Sequence, residues 1–296
     1  MLVHRRKEPA FPSRVVLLGA GGFVAPALAK SLEEDGFKVL AAGSAVLDLT
    51  DPASVPRLGE MLRADDTVVM LAALTPEKGR DTATLIRNLR MAEHVAAAVA
   101  AHTVAQLVYF SSDAVYGGPA SIFSEKTPAS PSDLYGVMHL ARELALAEAA
   151  GKAGIPFCIL RPSAIYGPGD THNSYGPNRF IRTALNERII RLFGQGEEMR
   201  DHVHIGDVVN LTKLAIGRCS SGVLNLVSGQ AISFAELAAR ISRMTGGKLS
   251  IESLPRTSAV THRSFDPAAM NRCFPEFRST PLEAGLRDTV AALSHG

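Results

Sequence analysis

The chain has 296 residues, 46% of them hydrophobic and 20% charged, with a net charge of +2. That length can bury a sizeable core, and the near-balanced charge gives no electrostatic reason to expect nucleic acid or an acidic membrane as partner. Three cysteines, Cys158, Cys219 and Cys273, are odd in number and widely spaced, which argues against a disulfide framework or a metal site and reads as free thiols in a reducing cytoplasm.

Residues 1–14 carry His4, Arg5, Arg6 and Lys7 with no apolar stretch behind them. They read as a loose tail rather than a signal peptide. No apolar run reaches the roughly 18 residues needed to span a membrane. Residues 14–19 (RVVLLG) predict a buried parallel strand ending in glycine, and residues 22–35 a helix with Val24, Leu28 and Leu32 on one face. Strands follow at 38–42 and 46–49, a helix at 52–63, a strand at 67–71 and a long Ala-rich helix at 81–101. A strand at 106–111, a helix at 134–150 and a strand at 156–160 complete the alternation. Strands alternating with helices imply βαβ units, and so an α/β fold with a doubly wound parallel sheet. Beyond Arg161, Gly and Pro cluster between 167 and 177, which marks a loop-rich region. Helices are expected at 178–186, 206–217 and 233–244, with a turn at 194–196 and a strand at 223–227.

Two places carry chemistry. Residues 19–25 (GAGGFVA) join the first strand to the first helix. Glycines there let the backbone turn tightly and approach a pyrophosphate at the helix N-terminus, and the position at the head of a βαβ series gives them that meaning. Residues 111–117 (SSDAVYG) end the strand at 106–111, the edge where open α/β sheets place ligands. Tyr135 heads the next helix, and His139 lies one turn on, on the same face. A phenol titrates near 10, so a tyrosine that moves protons at neutral pH needs a cation close by. His139 is mostly neutral at pH 7. Arg142, two turns from Tyr135, is a candidate for that charge, against a reading as a solvated or lobe-bridging arginine.

The ordered set of the Gly turn, SSDAVYG, YGVMH at 135–139, RP at 161–162 and RDHVH at 200–204 resembles the extended short-chain dehydrogenase/reductase family, in its nucleotide-sugar epimerase/dehydratase branch, over about residues 14–290. The resemblance implies a Rossmann-like NAD(P)-binding domain over 14–166. Residues 167–296 would form mainly a smaller substrate-binding lobe, with segments returning to the sheet. It implies catalysis by Ser112 and Tyr135, with His139 standing where the family carries a lysine that holds the nicotinamide ribose. Gly19 and Gly22 match the family's G-x-x-G-x-x-G, with Ala25 in place of the last Gly; Gly21, Phe23 and Val24 complete the cofactor turn. Asp48 and Leu49, in LDLTD, resemble an adenine-contacting segment. Leu71, Ala72 and Ala73 match a turn beneath the cofactor, and Ser111 and Pro162 lie at strand exits beside it. After residue 42 there is neither the acid expected for NAD nor a base for the NADP phosphate. Ser44 is left as the hydrogen-bonding group, and the choice between NAD and NADP stays open.

On the substrate side the resemblance places Ser112, Asp113 and Ala114 against a sugar. It places Asn178 and Arg200 at a diphosphate, with Arg256 or Arg263 as a second phosphate contact. Ala114 stands where 4,6-dehydratases carry Glu, which argues against dehydration. The expected activity is NAD(P)-dependent epimerisation of a nucleotide-diphosphate sugar, at C4 through a transient 4-keto sugar. The alternatives are reduction of an NDP-4-keto-6-deoxy sugar, or a non-catalytic NAD(P)-binding sensor or scaffold. Family members often dimerise through the helices that begin near 81 and 134, whose Ala- and Leu-rich texture here is compatible with a homodimer.

Overall fold

The structure, a computed structural model, describes residues 1–118, 121–256 and 259–294. In chain order the first part comprises β1 (Val3–His4), β2 (Arg14–Leu18), α1 (Val24–Glu34), β3 (Lys38–Ala42), α2 (Ser54–Met61), β4 (Asp66–Met70), α3 (Thr82–Ala101), β5 (Gln106–Phe110), a single 3-10 turn (Asp113–Val115), α4 (Leu134–Ala153) and β6 (Phe157–Pro162). Then come β7 (Ala164–Tyr166), α5 (Pro177–Asn186), β8 (Ile189–Phe193), β9 (Met199–His204), α6 (Ile205–Gly217), β10 (Ser220–Leu226), β11 (Ala231–Ser233), α7 (Phe234–Met244), β12 (Ser250–Leu254), α8 (Ala268–Cys273) and α9 (Leu282–Ser294).

The main sheet has seven strands in the order β1-β10-β6-β5-β4-β2-β3, all parallel except β1. Its central strands are apolar on both faces because helices cover both. Val15, Leu17, Val69, Val108 and Phe110 face a cluster that includes Leu28 of α1 and Leu211 of α6. Val16, Leu18, Val68, Met70 and Tyr109 face Leu58 of α2, Val95 of α3 and Leu146 of α4. This alternation of neighbouring residues between two cores is what the pleat requires.

Two expectations fail here. Residues 46–49 form no strand: the Val46 and Leu47 amides bond back to the Gly43 carbonyl, and Asp48 accepts from the backbone and hydroxyl of Thr50. LDLT is therefore a turn, pinned by buried Leu47 and Leu49. The N-terminal segment is not a loose tail either. β1 pairs antiparallel with β10, Val3 opposite Ser221, so it covers an edge that would otherwise expose unpaired backbone. Leu2 is buried, His4 bridges Ser220 and the Cys273 carbonyl, and the Phe11 and Phe37 rings lie 4.4 Å apart.

Beyond β6 the chain builds a lobe from a three-stranded sheet, β11-β9-β7, and a two-stranded one, β12-β8. Its core joins Phe180 and Ile181 of α5, Leu237 and Ile241 of α7 and Leu286 of α9. The segment 205–226 leaves this lobe: α6 packs beside α1, and β10 pairs with β6 from Gly222 to Leu226. Among the described residues no helix is long and apolar enough to cross a membrane.

Candidate active site

The C-terminal ends of the sheet strands and the lobe loop 170–179 enclose a cleft of about 710 Å³. Gly22, Phe23 and Val24 line it from the start of α1. Gly19 has φ +103°, and a Cβ there would stand 2.6 Å from the Ala72 backbone nitrogen, so only glycine lets the two strand-end turns meet. Phe23 is the N-cap of α1 and makes no side-chain cap, and the first turn holds no acid. The unpaired amides and positive end of α1 suit an anion such as a pyrophosphate. Around Gly21 the space for a side chain is open. Leu71, Ala73 and Pro162 also line the cleft. Ser44 and Asp48 lie exposed on the turn after β3. Bonds from the Thr50 backbone and hydroxyl hold the Asp48 carboxyl below its ordinary range.

Ser112 and Tyr135 arrive from different elements and meet. The Ser112 hydroxyl accepts from the Ala114 amide at 3.1 Å, capping the 3-10 turn. Asp133 caps α4 by accepting from Gly136 N–H at 2.8 Å. A Cβ at Gly136 would lie 2.1 Å from the Ala114 carbonyl oxygen, so this glycine lets the head of α4 rest directly on the 3-10 turn. The result is a half-buried Tyr135 beside Ser112, both lining the cleft with Asp113. Burial, and then the Asp113 carboxylate, push the Tyr135 phenol up; Arg142 pulls it down, Glu77 pushes it up, and the nearby Ser112 hydroxyl lowers it.

His139 is buried and its ring meets Tyr135 edge-on at 4.6 Å between centroids. Its Nδ1 lies 2.7 Å from the Tyr109 hydroxyl, and its Nε2 has no partner among the described residues. Burial, with Arg142 beside it, takes the imidazole well below its ordinary value, so it is neutral at pH 7. Arg142 is neither solvated nor lobe-bridging: it is 0% exposed, sits 5.1 Å over the Tyr109 ring and donates to the Ala72 carbonyl at 2.7 Å.

Other expected residues sit differently. Ser111 does line the cleft, and its hydroxyl donates to Glu143, which pairs with Arg161 at 2.9 and 2.6 Å; Arg161 reaches Tyr116, and Tyr116 donates to Asn225. This buried chain ties β5, β6, β10 and α4 together behind the cleft. Asn178 lines the cleft, but its amide exchanges two bonds with the Gly167 backbone, at 2.7 and 3.0 Å, which pins the loop. Ala114 supplies the carbonyl under Gly136 and does not line the cleft. Arg200 and Arg256 both bond Glu198. Arg263 departs most from its expected phosphate contact. Its Nη1 donates to the Asp113 and Tyr116 carbonyls, each at 2.8 Å, and its guanidinium lies over Phe123 at 5.4 Å. It holds the 3-10 turn in place from outside the cleft.

Glu77 and Tyr109 were not singled out as site residues from sequence, and Arg142 only as a candidate charge. Arg142 had a signal, since positions 135, 139 and 142 share one face of α4. Glu77 had none. It lines the cleft from the loop after β4 and accepts from Ser174 of the lobe loop at 3.0 Å, with His172 Nδ1 4.0 Å away.

Residues 15–226 match the model of the NAD dependent epimerase/dehydratase family. The chain is 25% identical to an uncharacterised UDP-glucose epimerase of Bacillus subtilis (strain 168), over 70% of this chain and 66% of that relative. It is 24% identical to a dTDP-4-dehydro-6-deoxy-D-allose reductase of Streptomyces bikiniensis, over 95% of this chain and 96% of that relative. In fold it is similar to the UDP-glucose 4-epimerase of Thermus thermophilus in complex with NAD, with a TM-score of 0.85 and 21% identity, covering 95% of this chain and 99% of that one.

Proposed function

The chain belongs to the NAD dependent epimerase/dehydratase family, and from that premise we propose that it is an NAD(P)-dependent nucleotide-sugar epimerase acting at C4. The observation that carries this reading is the convergence of Ser112 and Tyr135 on the cleft that also receives the uncapped start of α1. When bound, the dinucleotide supplies the hydride acceptor and donor. The protein's own work is positional and acid–base. The α1 amides and the glycine turn hold the pyrophosphate, and His139 Nε2 offers a hydrogen bond to a ribose hydroxyl. Ser112 donates to the sugar oxygen at C4. Tyr135 accepts that oxygen's proton as hydride leaves C4 and returns it when hydride arrives on the other face. The sugar nucleotide's diphosphate is assigned to Arg200, whose planar fork suits phosphate oxygens and which would exchange its bond to Glu198 for them.

A second reading, a 4-keto-sugar reductase, is favoured by the near full-length match to the Streptomyces reductase. Denaturing the purified protein and identifying the nucleotide it releases separates the two. Near-stoichiometric NAD, followed by interconversion of UDP-glucose and UDP-galactose without added cofactor, supports the epimerase. An empty protein that binds NADPH reversibly and consumes it with a 4-keto sugar nucleotide supports the reductase. No affinity for either dinucleotide overturns both.

A further inference from the structure

Arg142 carries a positive charge that no carboxylate answers among the described residues. It is 0% exposed, and the nearby buried carboxylate, Glu143, is paired with Arg161. Apart from the Ala72 carbonyl its contacts are weak: Asn88 Oδ1 at 3.4 Å and the sulfurs of Met138 and Met70 at 3.6 and 3.5 Å. Its Nε has no acceptor among the described residues. A buried cation without a carboxylate is costly; this one lies 5.1 Å over the Tyr109 ring on the helix face it shares with Tyr135, and both phenols favour its charge.

The Tyr109–His139 bond adds a second constraint. Tyr109 is buried and its phenol is pushed up by that burial, so it keeps its proton. His139 Nδ1 is the one partner seen for its hydroxyl among the described residues. If Nδ1 carried the proton instead, the Tyr109 hydrogen would have no acceptor. Nδ1 therefore accepts, and the imidazole proton sits on Nε2, the unpartnered nitrogen of a residue that lines the cleft.

We propose that Arg142 supplies the positive charge that stabilises the ionised Tyr135 phenol, while Tyr109 fixes His139 as a neutral Nε2–H donor into the cleft. Two jobs are thus divided between two positions of α4: charge comes from 142 and the hydrogen bond from 139. Arg142 and Tyr109 are positioning residues, acting through Tyr135 and His139. The groups around Tyr135 are the neutral His139 ring, edge-on at 4.6 Å, Asp113 from the 3-10 turn and Glu77 from the β4 loop, both opposing ionisation, and Ser112 and Arg142, both favouring it. The assignment rests on the reading of Tyr135 as the proton-handling group.

The test is NMR of the intact protein with saturating NAD. Tyrosine ring carbons are labelled at Cζ, and Tyr135, one of five tyrosines, is assigned by its loss in Tyr135→Phe. Arg142→Met should raise the Tyr135 midpoint by about one pH unit or more, tenfold less phenolate at a given pH. Arg142→Lys should hold it within about half a unit, and adding His139→Lys to Arg142→Met should bring it back. In the unsubstituted protein, ¹⁵N shifts should show His139 neutral and protonated on Nε2 from pH 7.5 down to 5. Tyr109→Phe should mix the tautomers and weaken NADH binding several-fold. A midpoint unmoved by Arg142→Met, an imidazole that titrates near 6.5, or a proton on Nδ1 overturns the proposal. If Arg142→Met does not fold, the imidazole spectrum and the Arg142→Lys midpoint decide. A protein that passes these tests yet converts no nucleotide sugar keeps the charge assignment and loses the proposed activity.

Discussion

A methyl group at position 136 would press on the Ala114 carbonyl oxygen at 2.1 Å and on Pro131 Cβ at 2.8 Å, so Gly136→Ala must lift the head of α4 off the 3-10 turn. Tyr135 then moves relative to Ser112. A displacement of that order costs about 10²-fold in rate, and kcat is expected to fall by roughly that factor while NADH affinity holds. Tyr135→Phe removes the proton carrier itself. Turnover should drop by about 10²–10⁴-fold with dinucleotide binding retained, and full activity in that variant would remove Tyr135 from the mechanism.

His202 gives a stability prediction at the same scale. It is buried beside Phe234 and Tyr166 with neither ring nitrogen partnered among the described residues, and burial pulls it down to about 3. Below its unfolded value of 6.5 the unfolded chain takes up a proton that the native state refuses. The native state therefore loses about 1.4 kcal/mol per pH unit from this group as pH falls from about 6.5 towards 3, and keeps it all above 6.5. Chemical denaturation of His202→Phe should show a flatter pH dependence by that slope between pH 6 and 4. Equal slopes would mean that the imidazole is solvated. The places of Ser112 at a strand end and Tyr135 at a helix head could be read from sequence because strand ends and helix heads announce themselves. The destinations of Asn178 and Arg263 could not, because their partners are backbone carbonyls distant in the chain and no residue code marks a carbonyl.

At the scale of elements, periodicity and punctuation found the long helices and the doubly buried strands, where one face or a solid apolar run repeats. They missed β8 and β12, whose burial is patchy or slight and whose pairing joins residues about sixty apart. They turned LDLT into a strand because buried Leu47 and Leu49 alternate with polar residues, whereas Asp48 spends its carboxylate on Thr50 and folds the segment. β1 was lost because two residues carry no period; only the open edge of β10 makes them a strand. Leu2 anchors that edge at 6% exposure. Leu2→Ala is expected to cost about 2 kcal/mol, the low end of buried Leu→Ala losses, read from the denaturation midpoint. A shift near zero would show that β1 is held by its backbone pairing alone.

Across the whole molecule the cleft lies between a sheet built to be rigid and a lobe tied to it by few polar contacts on the open side. Ser174 on Glu77 is one of them, and it bridges 97 residues of chain. Ser174→Ala removes a bond worth about 0.5–1.5 kcal/mol. If the lobe loop holds the cofactor in, NADH release should speed up roughly two- to tenfold. Stopped-flow fluorescence reads this directly, since the chain has no tryptophan to overlap. An unchanged release rate would mean that the loop does not retain the dinucleotide.

The antiparallel pairing of β1 with β10 also has a consequence in time. Val3 and His4 leave the ribosome more than two hundred residues before their partners, Ser221 and Ser220, are made. At about 5–20 residues per second, the leading segment waits roughly 10–40 s with Leu2 and Phe11 exposed. The five strands β2 to β6 can assemble meanwhile, and the N-terminal strand closes the sheet only after synthesis has passed β10. A strand made before the rest of its sheet is thus among the last to find its place.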